Sequence, residues 1–348
     1  MSTAASMENP TAQAHGAEQA VEFPCLTVVH HPDPLLVGRR VLIDEGQEVM
    51  LGRGADVFGD DVLDDDRLSR RHARVSRDGR TVVVEDQASR NGTTVNGRRV
   101  GVAQLRQGDV LGVGRLLLLL HWCPPHHLPP DHPRLVGDSA ALAHVLREVE
   151  RVAPLRVPVL VHGEPGSGRR RICYEVHRLS RKGTPYGVLE VKPGKDPPWE
   201  RIVDKVGPGT LVLAGFEDAS PELQAKVLAT LKDPATCCRV LLTFSGAVRP
   251  LVQQGRFDAE LAGMLSQNSF RMPPLRRRPE DILPLARTFA RQQAGGPRHL
   301  SRRLSLMLLM MRWEGNVREL KEVMSRLVDE QKQHVTLRAP VWLADMIR

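Results

Sequence analysis

Gly163-Glu164-Pro165-Gly166-Ser167-Gly168-Arg169-Arg170 has the spacing of a loop that cradles phosphate. In the pattern G-x-x-x-x-G-K-[ST], glycines let backbone N–H groups close around phosphate oxygens while lysine reaches the β/γ-phosphates. Here Arg169 stands at the lysine position, and Arg170 stands where a Mg²⁺-holding hydroxyl is required. Arginine is a planar fork rather than a compact point charge, so the exchange keeps the loop's shape and alters its chemistry. Gly163, Gly166, Ser167, Gly168, Arg169 and Arg170 still form a candidate anion site at a helix N-terminus. A second set lies upstream: Gly52-Arg53, Ser69-Arg70-Arg71-His72, Ser89-Arg90-Asn91-Gly92 and Asn96-Gly97. Each is explicable alone as turn chemistry. Together, guanidinium, hydroxyl and amide groups on loops at one end of a rigid scaffold make an anion and peptide-backbone site.

The elements that must position these groups differ in type. Residues 22–122 carry short β-rich runs at Cys25–His30, Arg40–Ile43, Ala73–Ser76, Thr81–Glu85 and Val110–Leu120. Turn signals at Asp78-Gly79, Asn91-Gly92 and Asn96-Gly97 split them, which predicts an all-β sandwich or barrel. Residues 123–133 form a proline- and histidine-rich linker. Its histidines, with His121 and Cys123, suggest a metal cluster, but prolines hold the backbone extended and splay the ligands, so no metal is expected. From residue 134 helices and strands alternate. Helix Ser139–Val152, strand Val157–Val161, a helix at Arg169–Leu179, strand Gly209–Leu213, helix Pro221–Leu231 and strand Cys238–Phe244 predict a doubly wound α/β unit over 134–278. Residues 279–348 form a helical subdomain, wholly helical across 279–335, in which Met307, Met310 and Met311 serve as core filler.

Composition sets the limits. The 348 residues suffice for two or three domains. The net charge of +8 is carried mostly by scattered arginines, which fits compositional drift better than a nucleic-acid stripe. The five cysteines have no metal-ligand spacing and fit a reducing, cytoplasmic setting. Residues 1–21 read as a disordered tail without the apolar core of a signal peptide. The longest apolar run, Leu116–Leu120, is too short to cross a bilayer.

The upstream series Leu-Gly-Arg53, Leu-Ser69-Arg-Arg-His72, Ser89-Arg-Asn91-Gly92-Thr, Val-Asn96-Gly97 and Leu105-x-x-Gly-Asp109 resembles the forkhead-associated (FHA) domain from end to end. The resemblance implies a β-sandwich that binds phosphothreonine peptides. By position, Arg53 and Ser69 would hold the phosphate, Arg70 would assist and Asn91 would grip the peptide backbone. His72, Gly52 and Gly92 would shape the loops, and Asn96 would buttress or touch the peptide. A phosphate with three acceptor oxygens suits such a guanidinium fork and hydroxyl.

Residues 134–340 resemble the AAA+ domain of sigma-54-dependent transcription activators. The likeness rests on Leu135-Val-Gly137-Asp-Ser139, the glycine loop, Gly209-Thr-Leu-Val-Leu213, Leu223-Gln-Ala-Lys-Val-Leu228, Pro273-Pro-Leu-Arg-Arg-Arg-Pro-Glu-Asp-Ile282 and Trp313-Glu-Gly-Asn-Val-Arg-Glu-Leu320. The family's Mg²⁺-binding acidic pair falls on Ala214 and Gly215, its sensor asparagine on Ser245 and its arginine fingers on Asp258 and Met264. Glu217 and Asp218 would need a register shift to replace the acids, and Arg256 is a displaced finger candidate. The sigma-contacting GAFTGA loop is absent, and only Arg318 survives in its motif. Phosphoryl transfer depends on positioning and charge neutralisation by these groups. The expectation is therefore a pseudo-ATPase that requires no cofactor, while the loop still admits ATP or ADP without turnover.

The family usually ends in a DNA-reading helix-turn-helix; here the chain stops at Arg348, so direct DNA binding is not expected. The favoured function is a signalling adaptor that docks a threonine-phosphorylated protein, a Ser/Thr kinase or its substrate. Its degenerate AAA+ domain would serve self-association or contact with intact activators. The alternative is an ATP-binding sigma-54-dependent regulator with residual nucleotide binding or hydrolysis.

Overall fold

The computed structural model describes residues 22–59, 62–125, 132, 135–180 and 183–346. The N-terminal tail and most of the linker, including His126 and His127, lie outside these residues.

The first domain is a sandwich of two antiparallel sheets. Its strands are β1 (Phe23–His30), β2 (Arg40–Leu42), β3 (Glu48–Leu51), β4 (Ala73–Asp78), β5 (Thr81–Asp86), β6 (Thr93–Val95), β7 (Arg98–Val100), β8 (Val102–Leu105), β9 (Val110–Val113) and β10 (Leu116–Cys123). One sheet has the order β2-β1-β10-β9-β6-β7 and the other β3-β4-β5-β8. Asn96-Gly97 joins β6 to β7 with both residues at positive φ (51° and 79°), the two-residue turn whose twist matches the flanking strands. The apolar run expected as one strand, Val110–Leu120, is two: Gly114-Arg115 turns β9 back on β10.

Strand β10 is apolar at successive positions because both of its faces are covered. Leu116, Leu118 and Leu120 enter the sandwich core with Leu26, Val28 and Val84. Leu117 and Leu119, with Val29 and Val110, instead join the core of the C-terminal helices. The sandwich is thus docked by one outer sheet face.

The second domain is a parallel sheet in the order β12-β13-β14-β11-β15. Its strands are β11 (Val159–His162), β12 (Tyr186–Glu190), β13 (Thr210–Ala214), β14 (Arg239–Phe244) and β15 (Ser269–Arg271). Helices α1 (Ala140–Val152), α2 (Arg169–Ser180), α3 (Trp199–Val206), α4 (Pro221–Lys232), α5 (Val248–Gln253) and α6 (Ala259–Ser266) accompany it. Ser220 caps α4, accepting the Leu223 N–H, with Pro221 at the first position. Sequence periodicity missed β12 and β15, both short strands at the sheet edges.

The helical subdomain comprises α7 (Ile282–Ala294), α8 (Arg302–Met310), α9 (Asn316–Glu330) and α10 (Val341–Asp345). It is not wholly helical. His299–Leu300 (β16) pairs in parallel with Thr336–Leu337 (β17), tying the start of α8 to the chain beyond α9. No helix among the described residues is long and apolar enough to cross a membrane.

The seam between sandwich and helices has a pH-sensitive member. His30 Nδ1 lies 3.2 Å from Ser305 Oγ on α8. Burial, with the charges of Arg287, Arg302 and His31, pulls its pKa down to about 4. A histidine whose folded pKa lies below its unfolded value loses stabilisation as pH falls from about 6.5 toward 4, by a few kcal/mol at most. Melting of the full chain from pH 7.5 to 4.5 should show this decline, and His30→Gln should flatten it.

Candidate functional site

Two sites take shape. The first is at the loop end of the sandwich, where the β3–β4 and β5–β6 connections are laced together. Arg53 N–H donates to Ser69 O at 3.0 Å. Gly52 lies against the Ser69 and Arg70 carbonyls so closely that a Cβ would collide with Arg70 O. His72, fully buried, is the pin: its Nδ1 accepts the Ser69 N–H at 3.2 Å and its Nε2 faces Gly92 O at 3.3 Å. That pairing requires the neutral Nε2–H tautomer, and burial holds the His72 pKa down to match, with the Gly92 carbonyl opposing. Asn91 Nδ2 donates to Arg67 O at 2.7 Å, and Ser69 Oγ accepts the Arg90 N–H at 3.0 Å.

The outcome is a rigid frame with an open rim. Arg53, Arg70 and Asn91 are exposed and Ser69 is half-buried. Because the Ser69 oxygen accepts from the backbone, its O–H proton is available to donate outward. Guanidinium forks and a hydroxyl on a preformed frame suit a dianionic phosphate. Asn96, expected to buttress or touch the peptide, is hydrogen-bonded within the domain. Its Nδ2 donates to Asp109 Oδ1 at 2.7 Å and its Oδ1 accepts the Val110 N–H at 2.9 Å. It buttresses the β6–β7 turn, and Gly97 beside it packs toward Leu306 of α8.

The second site is the glycine loop. It runs from the end of β11 to the N-terminus of α2, and beside it lies a cavity of about 800 Å³ whose lining also includes residues of α7 and α9. Gly163, Gly166 and Gly168 have φ of 152°, 76° and 113°, in the region that favours glycine. The loop's supports come from the C-terminal subdomain. Val317 N–H donates to Gly166 O at 3.1 Å, Asn316 Nδ2 to Pro165 O at 3.1 Å, and Arg278 Nη2 to Ser167 O at 2.8 Å. Asn316 Oδ1 in turn accepts the Leu275 N–H at 2.8 Å. A Cβ on Gly166 would strike the Gly315 carbonyl. Gly166→Ala should therefore part the loop from α9 and destabilise the fold by roughly 1–3 kcal/mol, read as a fall in denaturation midpoint.

Asp281 was not singled out by its residue type, though it closes a quoted motif. Fully buried, it accepts from the N–H groups of Asp138 and Ser139 at 2.8 and 2.9 Å and from Ser139 Oγ at 3.0 Å. Burial pushes its pKa up to about 6, opposed by Arg278. It pins the chain entering the α/β unit to the start of α7.

Inside the cavity the cations cluster. Burial pulls the Arg169 pKa below its ordinary range, and the charges of Arg170 and Arg318 add to the effect while Glu217 opposes it. Arg169 Nη1 is buried and has no hydrogen-bond partner among the described residues. Arg170 reaches Glu190 at 2.5 Å on the neighbouring strand. Arg318 and Lys321 line the cavity from α9, and Leu135, Val136, Leu285 and Phe289 supply apolar walls.

Strand β13 runs in unbroken register with β14 from Thr210↔Arg239 to Ala214↔Thr243. Ala214 and Gly215 consequently sit at the cavity wall with no carboxylate. Glu217 Oε1 accepts from the Ser245 N–H at 3.1 Å and from Ser245 Oγ at the end of β14, while its Oε2 is buried without a hydrogen-bond partner among the described residues. Asp258 caps α6, accepting the Leu261 N–H at 2.7 Å, and Arg256 is exposed.

Comparison with known proteins agrees with this division. Residues 49–114 match the FHA domain, 136–275 the Sigma-54 interaction domain and 276–338 the AAA+ ATPase lid domain. The chain is similar to the HTH-type transcriptional regulatory protein TyrR of Salmonella typhimurium, 29% identical over 225 residues (57% of this chain, 44% of that protein). It is also similar to the C4-dicarboxylate transport transcriptional regulatory protein DctD of Pseudomonas aeruginosa, 31% identical over 232 residues (56% and 50%). The chain spans about half the length of the curated relatives it matches. Among solved structures, NtrX from Brucella abortus in complex with ADP is 24% identical with a TM-score of 0.53, covering 61% of this chain and 56% of that one, a likeness of fold. The chain therefore joins an FHA domain to a sigma-54 interaction domain and an AAA+ ATPase lid domain.

Proposed function

We propose that the chain is a phosphothreonine-reading signalling adaptor whose AAA+ domain does not turn over ATP. The observation that carries the first half is the laced frame of Gly52, Ser69, His72 and Gly92, which holds Arg53, Arg70 and Asn91 at an open rim. A threonine-phosphorylated protein, a Ser/Thr kinase or its substrate, is the partner this rim fits. Titration of the full chain with a phosphothreonine peptide and its unphosphorylated twin is the test; equal affinities would sink the proposal.

The second half is supported by the absence of a carboxylate at Ala214 and Gly215 in a strand of unbroken register, and by arginine in place of the loop lysine. The AAA+ domain then serves as a surface for self-association or for contact with activators of the same family. A second reading concerns nucleotide binding without hydrolysis. The cavity and the partnerless Arg169 Nη1 favour it, since a buried guanidinium beside two other cations suits phosphate oxygens. Equal thermal stabilisation by ATP and a non-hydrolysable analogue would support this reading; no stabilisation by either would remove it.

A further inference from the structure

Cys25, His121 and Cys123 lie on the outer face of the β1/β10 pair, the face turned to the lid. Cys25 stands directly opposite His121, and Cys123 follows two residues later on the same side. Their donor atoms converge: Cys25 Sγ is 3.0 Å from His121 Nε2 and 3.2 Å from Cys123 Sγ. All three donors fall within 4.8 Å of one another, and the residues are 0%, 3% and 1% exposed. The expectation that His121 and Cys123 are splayed at the head of a linker is corrected here, because both belong to β10. Cys25 was beyond reach of sequence spacing, being 98 residues from Cys123 and joined to it only by strand pairing.

We propose that Cys25, His121 and Cys123 form a binding site for one Zn²⁺ ion, which staples the first and last strands of the sandwich where they meet the AAA+ lid. Thiolate and imidazole are the donors zinc selects, with bonds of about 2.3 Å to sulfur and 2.0–2.1 Å to nitrogen. A tetrahedral ion at those lengths would spread Cys25 Sγ from Cys123 Sγ and from His121 Nε2 by about half an ångström each. Binding releases the thiol protons, and two thiolates then balance the charge of the ion.

The surroundings are those of a metal-bound imidazole. Glu280, at the start of the lid, places Oε1 2.8 Å from His121 Nδ1. The carboxylate stands at ion-pair distance without an aligned hydrogen bond, yet its charge favours the proton on Nδ1 and leaves the Nε2 lone pair for a metal, the part an outer partner of a zinc-bound histidine plays. Glu280 is 9% exposed and its Oε2 has no hydrogen-bond partner among the described residues. Thr27 Oγ1, 2.7 Å from His121 Nε2, stands beside the fourth coordination position, which its hydroxyl or a water would fill. A Cys25–Cys123 disulfide would use neither the imidazole nor its carboxylate.

The test uses the full chain, kept reduced, stripped with a chelator and titrated with Zn²⁺ and with Co²⁺. One equivalent of zinc per chain is expected. The cobalt form should show thiolate-to-cobalt charge transfer and intense tetrahedral d–d absorption. Cys25→Ser and Cys123→Ser should each lose the stoichiometric site, while Cys237→Ser, at an exposed cysteine elsewhere, should bind as the parent does. Glu280→Gln should weaken zinc binding by about 10- to 100-fold. A serine in this buried place can by itself unfold the sandwich, so the cobalt spectrum of the unaltered chain stands as the variant-free criterion. A chain that takes up no stoichiometric metal overturns the proposal. So does a cobalt complex without thiolate bands, or retention of the site in both serine variants.

Discussion

Replacing Arg53 with alanine is expected to weaken binding of a phosphothreonine peptide to the full chain by about 10- to 150-fold, the worth of one charge-assisted contact of about 1.5–3 kcal/mol. Ser69→Ala should cost about tenfold for its single hydroxyl donor. The two differ in mechanism. Arg53 is exposed and holds its place through its backbone, so its truncation leaves the frame intact. Ser69 Oγ also receives the Arg90 N–H, so its loss should loosen the β5–β6 connection as well. Isothermal titration with phosphorylated and unphosphorylated peptides separates these effects: Arg53→Ala should shrink the difference between them by that factor while melting temperature is unchanged. Undiminished discrimination in Arg53→Ala would refute the assignment.

The second large effect concerns ATP. Steady-state hydrolysis by the full chain should be indistinguishable from background, and Arg169→Lys alone should not raise it. Lysine would restore the phosphate contact, but Ala214 and Gly215 would still leave Mg²⁺ without its acids. An arginine finger by itself is worth about 10³–10⁵ in rate, and Asp258 occupies one such position as a helix cap. Only combined replacement, Arg169→Lys and Arg170→Thr with Ala214→Asp and Gly215→Glu, should recover Mg²⁺-dependent nucleotide binding. Gly215 has φ 76°, so glutamate there carries a backbone penalty of roughly 1 kcal/mol or more. Measurable turnover by the unaltered chain that vanishes in Arg169→Ala would establish the opposite conclusion.

Much of this was legible because the informative signals are local. A glycine loop, an N-G turn and a Ser-Pro helix start each carry their conformation within a few residues, and Ser220–Pro221 and Asn96–Gly97 adopt the geometry their types require. The failures share one cause. The β10 run looked like plain sandwich core, yet Leu117 and Leu119 belong to a core completed by helices more than 160 residues away. His121 and Cys123 looked like linker because their neighbours in space, Cys25 and Glu280, come from opposite ends of the chain. Asn96 left buttress and peptide contact both open, and its partners Asp109 and Val110 show the buttress. The short strands β12, β15, β16 and β17 owe their conformation to neighbours rather than to periodicity.

The shared core at the seam has a mechanical consequence. Val29, Val110, Leu117 and Leu119 are interleaved with the lid helices, and Arg287 Nη2 donates to Val29 O at 2.8 Å. The lid also forms one wall of the glycine-loop cavity. Sandwich and lid therefore share one core, so a displacement of the lid at the cavity is passed directly to the sandwich that carries Arg53 and Ser69.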